Sequence, residues 1–174
     1  MATTRLRDRI FAGVGAVAFL ISATATTVFV FADMLKTEEK APAICEANQK
    51  EIVLAAPEIY KAEGDVTELK TEDVKVGTGA TAKVGDCLVM KYYGTLAQAG
   101  TMFDENYTKP NAFAFELGKG SVIKGWDQGL VGMKEGGTRR LIIPSELGYA
   151  EQSAGTIPAN SDLVFTAELL RIKK

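Results

Sequence analysis

The chain has 174 residues, with 22 Asp and Glu against 20 Lys and Arg, two cysteines and no histidine. That length implies one domain with a short appendage, since a unit of roughly 100 residues can bury a working core unaided. The absence of imidazole excludes Ser-His and Cys-His nucleophilic machinery and zinc sites built on histidine.

Residues 1–9 hold three Arg and one Asp and form a short basic N-terminus. The 23 residues that follow, Ile10 to Ala32, carry no charge, and their only polar side chains are Ser22, Thr24, Thr26 and Thr27. As a helix they would reach about 34 Å, enough for a hydrocarbon layer of about 30 Å. Arg5, Arg7 and Arg9 precede this run and Asp33, Glu38 and Glu39 follow it. The positive-inside rule then keeps the N-terminus in the cytoplasm and exports the rest, as a single-pass membrane protein. The rival reading is a cleaved signal and a secreted product, but a signal's apolar core is normally only about 7–15 residues.

Residues 33–65 hold eight acids and four Lys, with Pro42 and Pro57 as breakers. They read as a solvated spacer, with one apolar patch at Ile52–Ala56 that could be a short helix or strand. Cys45 lies in this spacer and Cys87 opens a strand downstream. An even count in an oxidising compartment permits one disulfide; the alternative is two unrelated thiols.

Residues 66–174 carry 13 charges of each sign, so nothing electrostatic points to nucleic acid as a partner. Gly77-Thr78-Gly79-Ala80-Thr81-Ala82 formally fits the dinucleotide fingerprint G-x-G-x-x-A. Because Lys83-Val84-Gly85-Asp86 leads into a strand and not a helix, it reads as a glycine turn. Asp86 to Leu96 alternates Leu88, Met90 and Tyr92 on one face with Cys87, Val89 and Lys91 on the other, the pattern of a half-buried strand. Asp104 and Glu105 are adjacent carboxylates, by default a solvated loop and not an acid/base pair. Asn106-Tyr107-Thr108 is a glycosylation sequon, meaningful only in a eukaryotic secretory host. Strands are expected at Ala112–Glu116, Arg139–Pro144 and across Leu163, Phe165, Ala167 and Leu169. Between them, Ile123, Trp126, Leu130 and Met133 suit a short helix within Val122–Met133, interrupted by its glycines. The class is α+β, an antiparallel sheet around one helix.

Tyr92, Phe103, Phe113, Trp126, Tyr149 and Phe165 come from six separate segments. Singly, each is an ordinary core aromatic of a small β-rich domain. Together with their neighbours they carry more: Val122-Ile123-Lys124-Gly125-Trp126-Asp127-Gln128-Gly129-Leu130, then Leu147-Gly148-Tyr149, Ile157-Pro158 and Leu163-Val164-Phe165. In order and spacing, residues 69–174 closely resemble the FKBP-type peptidyl-prolyl isomerases. The resemblance implies a five-stranded antiparallel half-barrel around one short helix, with an apolar pocket that receives a prolyl ring. It implies Trp126 as the floor, with Tyr92, Phe103, Phe113, Val122, Ile157 and Phe165 as walls. The Ile123 N–H and the Tyr149 hydroxyl would bond substrate carbonyls, and Asp104 would act from the rim on Tyr92 or the substrate. It further implies proline-containing polypeptides as substrates, macrolides as inhibitors, and a monomer needing neither cofactor nor metal. Other readings are a catalytically silent binding module and a holdase-type chaperone. Ala150 departs from the family pattern, in which many relatives have glycine there and a slightly longer loop.

Overall fold

The computed structural model describes Cys45 and residues 52–173. The expected membrane anchor lies outside the described residues, and among those described no helix is long and apolar enough to cross a membrane. The elements in chain order are β1 (Lys70–Lys75), β2 (Cys87–Leu96), β3 (Met102–Glu105), β4 (Phe113–Glu116), α1 (Lys124–Gly129), β5 (Thr138–Ile143), a 3-10 turn (Ser145–Leu147) and β6 (Leu163–Lys173).

All pairings are antiparallel, in the order β1-β5-β6-β2-β3, with β4 also on β2. One edge of β2 runs its whole length against β6, from Cys87 opposite Lys173 to Leu96 opposite Leu163. The other edge is shared: β4 pairs with Cys87–Met90 and β3 with Tyr93–Thr95. The sheet thus has six strands in place of the five expected, because residues 106–112 split the edge strand in two. Leu88 and Met90 are fully buried on the inner face, as their alternation implies, and Phe115, Leu141, Phe165 and Leu169 join them from β4, β5 and β6.

The helix is shorter than the apolar spacing suggests. It spans six residues, and its glycines form its contact face with the sheet. A Cβ on Gly125 would stand 2.5 Å from Ile143 Cγ2, and one on Gly129 2.7 Å from Leu141 Cδ2. Gly125→Ala therefore forces α1 off β5. Overpacking of this kind costs about 1–3 kcal/mol, more than the helix propensity that alanine regains. A urea titration should show a lowered midpoint at unchanged slope. The far end of the helix is held by Arg139, whose Nη1 donates to the Gly129 and Val131 carbonyls at 2.9 and 3.1 Å. The same guanidinium grips the Asp73 carboxylate of β1 at 2.7 and 3.1 Å, and that hydrogen bond holds the Asp73 carboxyl below its ordinary range.

The stretch before β1, read from sequence as spacer, lies against the domain from Ile52 onward. Leu54 N–H donates to the Tyr107 carbonyl at 2.8 Å and Ala62 N–H to Ala97 at 2.9 Å. Tyr60 lies under the Arg140 guanidinium, 4.1 Å from ring centre to carbon, and packs with Ala62 and Val66 on Ala97, Ile142 and Val164. The Ile52–Ala56 patch is neither helix nor strand. Cys45 and Cys87 form a disulfide, with Cα atoms 5.7 Å apart and a sequence separation of 42. It pins the incoming chain to the start of β2.

The glycine motif at 77–82 runs antiparallel to residues 132–137. Gly79 and Ala82 N–H donate to the Glu135 and Met133 carbonyls at 3.0 and 2.8 Å, and Gly77 is pressed against the Lys134 and Glu135 carbonyls with no room for a side chain. Its glycines serve a close backbone approach, not a phosphate.

Candidate active site

Between the inner face of the sheet and α1 lies a cavity of about 430 Å3. Trp126 lies at its base, buried, with rings standing edge-on around it. The Phe165 centroid is 5.2 Å away at 86°, Tyr92 5.4 Å at 79° and Phe113 6.1 Å at 75°. Phe103 meets Phe165 at 5.4 Å and 80°. These are the perpendicular arrangements that aromatic quadrupoles favour. β2 accommodates two of the rings by placing Gly94 between them, where a Cβ would lie 2.7 Å from Phe103 and 2.8 Å from Phe165.

The polar groups sit at the mouth. The Tyr92 hydroxyl donates to Asp104 Oδ2 at 2.6 Å. Burial first, and that hydrogen bond second, push the Tyr92 phenol far above the ordinary tyrosine range, so it remains a neutral donor. Asp104 is engaged on its other oxygen too, accepting from the Glu105 N–H at 2.9 Å, with Lys109 Nζ at 3.7 Å. Asp104 thus anchors Tyr92 and is not a free base. By contrast, the Tyr149 hydroxyl and the Ile123 N–H make no hydrogen bond among the described residues, and both line the cavity.

Local structure explains both placements. Asp127, in the first turn of α1, accepts from Gly118 and Gly120 N–H at 2.8 and 2.9 Å, which fixes the turn that delivers Val122 and Ile123. Ile123 is the N-cap of α1, with extended backbone at φ −60° and ψ 150°. Tyr149 follows the 3-10 turn and is held by Ala150, whose N–H donates to Ser145 O at 2.8 Å while its carbonyl accepts from Asn160 N–H at 2.7 Å. Ala150 has φ 50°, a left-handed conformation that costs a side chain about 1–2 kcal/mol and glycine nothing. That is the physical meaning of the departure noted at this position.

All ten residues expected at the pocket line this one cavity: Tyr92, Phe103, Asp104, Phe113, Val122, Ile123, Trp126, Tyr149, Ile157 and Phe165. Sequence reasoning missed Ser121, Ala154, Gly155 and Thr156. The last three belong to a tight hairpin closed by two bonds between Ala154 and Ile157, at 3.0 and 2.9 Å. Its Gly155-Thr156 tip was the available signal. The sequon asparagine is no surface acceptor: Asn106 is 7% exposed, its Oδ1 accepting from Tyr92 N–H at 2.6 Å and its Nδ2 donating to Met90 O at 3.2 Å. Among the described residues no cluster of His, Cys, Asp and Glu could hold a metal ion.

The sequence model of the FKBP-type peptidyl-prolyl cis-trans isomerases matches residues 78–170. The chain belongs to the FKBP family. It is 48% identical over 109 residues to FK506-binding protein 4 of Aspergillus fumigatus, covering 63% of this chain but 22% of that protein. It is 44% identical over 111 residues to the peptidyl-prolyl cis-trans isomerase FPR2 of Saccharomyces cerevisiae, 58% of this chain and 82% of that one. Among solved structures, AtFKBP13 aligns with a TM-score of 0.56 at 37% identity, covering 60% of this chain and 93% of that chain. FkpA from Escherichia coli gives the same score and identity over 73% of this chain and 54% of its own. The FKBP half-barrel therefore accounts for the sheet, the short helix and the cavity between them.

Proposed function

We propose that this protein catalyses cis–trans exchange of X-Pro bonds in polypeptides, with the prolyl ring seated on Trp126. The observation that carries this reading is the convergence of the ten pocket residues on one water-shedding cavity with two unpaired donors at its mouth. An X-Pro bond exchanges over tens to hundreds of seconds because twisting it forfeits amide resonance, a barrier of about 18–20 kcal/mol. The planar amide is the more polar state, so an apolar pocket that strips its water raises the ground state relative to the twisted one. Tyr149 O–H and Ile123 N–H hold the flanking carbonyls, and contacts that fit the twisted geometry add differential binding. No covalent bond forms, so histidine and nucleophile are not needed. Macrolides of the kind that name the FK506-binding relatives would compete for the same floor.

Tyr149→Phe should lower kcat/KM about two- to tenfold, since one net hydrogen bond is worth about 0.5–1.5 kcal/mol. It should leave stability unchanged, because the hydroxyl has no partner to lose among the described residues. The function itself is tested by following a Leu-Pro or Phe-Pro peptide with the purified full chain, disulfide intact. Exchange at the spontaneous rate with micromolar protein would refute it and favour a silent binding module.

Residues 10–32 are proposed as a membrane anchor that holds this domain, as a monomer, outside the cytoplasm, where it would assist the folding of exported chains. The charge asymmetry around residues 10–32 supports this, as does the Cys45–Cys87 bridge, since disulfides persist in oxidising compartments. A reporter active only outside the cytoplasm, fused after Lys174, should work, and the protein should pellet with membranes. A soluble product beginning within Ala23–Leu35 would instead identify a cleaved signal.

A further inference from the structure

Lys91 is completely buried, although its place in the strand pattern is on the outer face of β2. Its ammonium donates to three backbone carbonyls, Asn106 at 2.9 Å, Lys109 at 2.5 Å and Asn111 at 3.2 Å. All three lie in the loop that joins β3 to β4. An ammonium has three protons, so its hydrogen-bonding capacity is filled by this one loop. A buried charge without a bonded carboxylate is costly to keep, and methionine would fill similar volume without that cost. The residue is thus poorly explained as core.

Asn106 works on the same loop from within. Its side chain spans Tyr92 N–H, Met90 O and Asn111 O, while its backbone N–H donates to Tyr92 O at 2.9 Å. Three successive residues of β2 therefore grip the loop, Met90 and Tyr92 through the backbone edge of the strand and Lys91 through its side chain on the outer face. The ends of the loop carry pocket residues. Asp104, just before it, holds the Tyr92 hydroxyl, and Phe113, just after it, stands 5.9 Å from the Tyr92 ring. Glu105, the last residue of β3, accepts from Thr108 N–H and Oγ1 at 3.0 and 2.9 Å, which closes the first turn of the loop. Lys91 and Asn106 tie the loop to β2, beside the buried Tyr107 ring and the Leu54 N–H bond to the Tyr107 carbonyl at 2.8 Å.

We propose that Lys91 and Asn106 are positioning residues for the isomerase site, acting through the 105–112 loop to hold Asp104 and Phe113 in register with Tyr92. Neither lines the cavity; Lys91 bonds the loop whose ends carry Asp104 and Phe113, and Asn106 bonds the backbone of Tyr92. The inference rests on the proposed isomerase function for its effect on turnover, but its structural half can be read without activity.

The test uses the full, disulfide-bonded chain with Lys91→Met, Asn106→Ala, Asp104→Ala and the Lys91→Met/Asp104→Ala pair. At a temperature where circular dichroism shows each fully folded, amide hydrogen exchange is followed across the chain and kcat/KM is measured on a Phe-Pro peptide. Lys91→Met should speed exchange in residues 105–112 about tenfold or more while β5 and β6 keep their protection. It should lower kcat/KM about three- to tenfold, and the double variant should be no slower than the slower single, because both changes break one unit. Wild-type exchange in the loop of a folded Lys91→Met chain overturns the proposal. So does a loss that multiplies with Asp104→Ala, since Lys91 would then act elsewhere. If Lys91→Met does not fold, Asn106→Ala must reproduce the loop-confined exchange, and uniform loosening of the whole sheet would refute the idea. A wild-type chain without turnover would sink the functional reading alone, while the exchange pattern would still decide whether the loop is held as proposed.

Discussion

Trp126→Leu should lower kcat/KM about ten- to hundredfold in a domain that still folds. Leucine keeps an apolar side chain of useful volume under the cavity but removes the flat surface on which a prolyl ring lies. It also removes the partner of the edge-on rings of Tyr92 and Phe165, at 5.4 and 5.2 Å. Aromatic pairs contribute about 0.5–1.5 kcal/mol each beyond area burial. If the stabilisation of the twisted amide falls by two such contacts, the rate falls by one to two powers of ten, at about 1.4 kcal/mol per tenfold. The indole N–H is buried without a hydrogen-bond partner among the described residues, so removing it frees the fold of an unsatisfied donor and limits the stability loss. Peptide kinetics beside a urea titration separate the two effects.

Phe165→Ala should destabilise the domain by about 3–5 kcal/mol, the range for deleting a buried aromatic. Phe165 sits on β6, paired with β2 on one side and β5 on the other, and is 5% exposed. Its ring touches Trp126, Phe103 and Tyr92 at once. The cavity left behind cannot close easily, because the residue opposite it in the β2 ladder is Gly94, which has no side chain to lean in. Urea unfolding should show the unfolding free energy lower by this amount, through a lowered midpoint at constant slope. Turnover measured below the transition should also fall, since two walls of the pocket lose their support.

Much of this arrangement is legible in the residues alone. β2 announces itself through Leu88, Met90 and Tyr92, and the tryptophan run with its downstream Ile-Pro and Leu-Val-Phe marks the pocket. What escapes detection has physical reasons. β1 is exposed at all six positions and has no apolar alternation; it is held by its backbone ladder to β5 and by the Asp73–Arg139 and Glu72–Arg140 pairs. The segment from Ile52 to Ala62 is fixed by isolated backbone bonds and one cation–π contact, which leave no period to read. Lys91 has the sign and spacing of a solvent-facing residue, yet a loop 15 to 20 residues away folds over it. Long-range closure of that kind is invisible to a local pattern. Ala150, conversely, is visible as a departure from the family but explicable only once its φ of 50° is known.

The chain's single tryptophan lies at the base of the cavity, so one titration addresses the central claim that X-Pro rotation occurs on Trp126. FK506 is added stepwise to the full chain while tryptophan emission and Phe-Pro isomerisation are recorded on the same samples. Emission should change and activity disappear along one curve, ending at one macrolide per chain. Turnover that persists after the emission change is complete would contradict the claim, because the catalytic surface would then lie elsewhere.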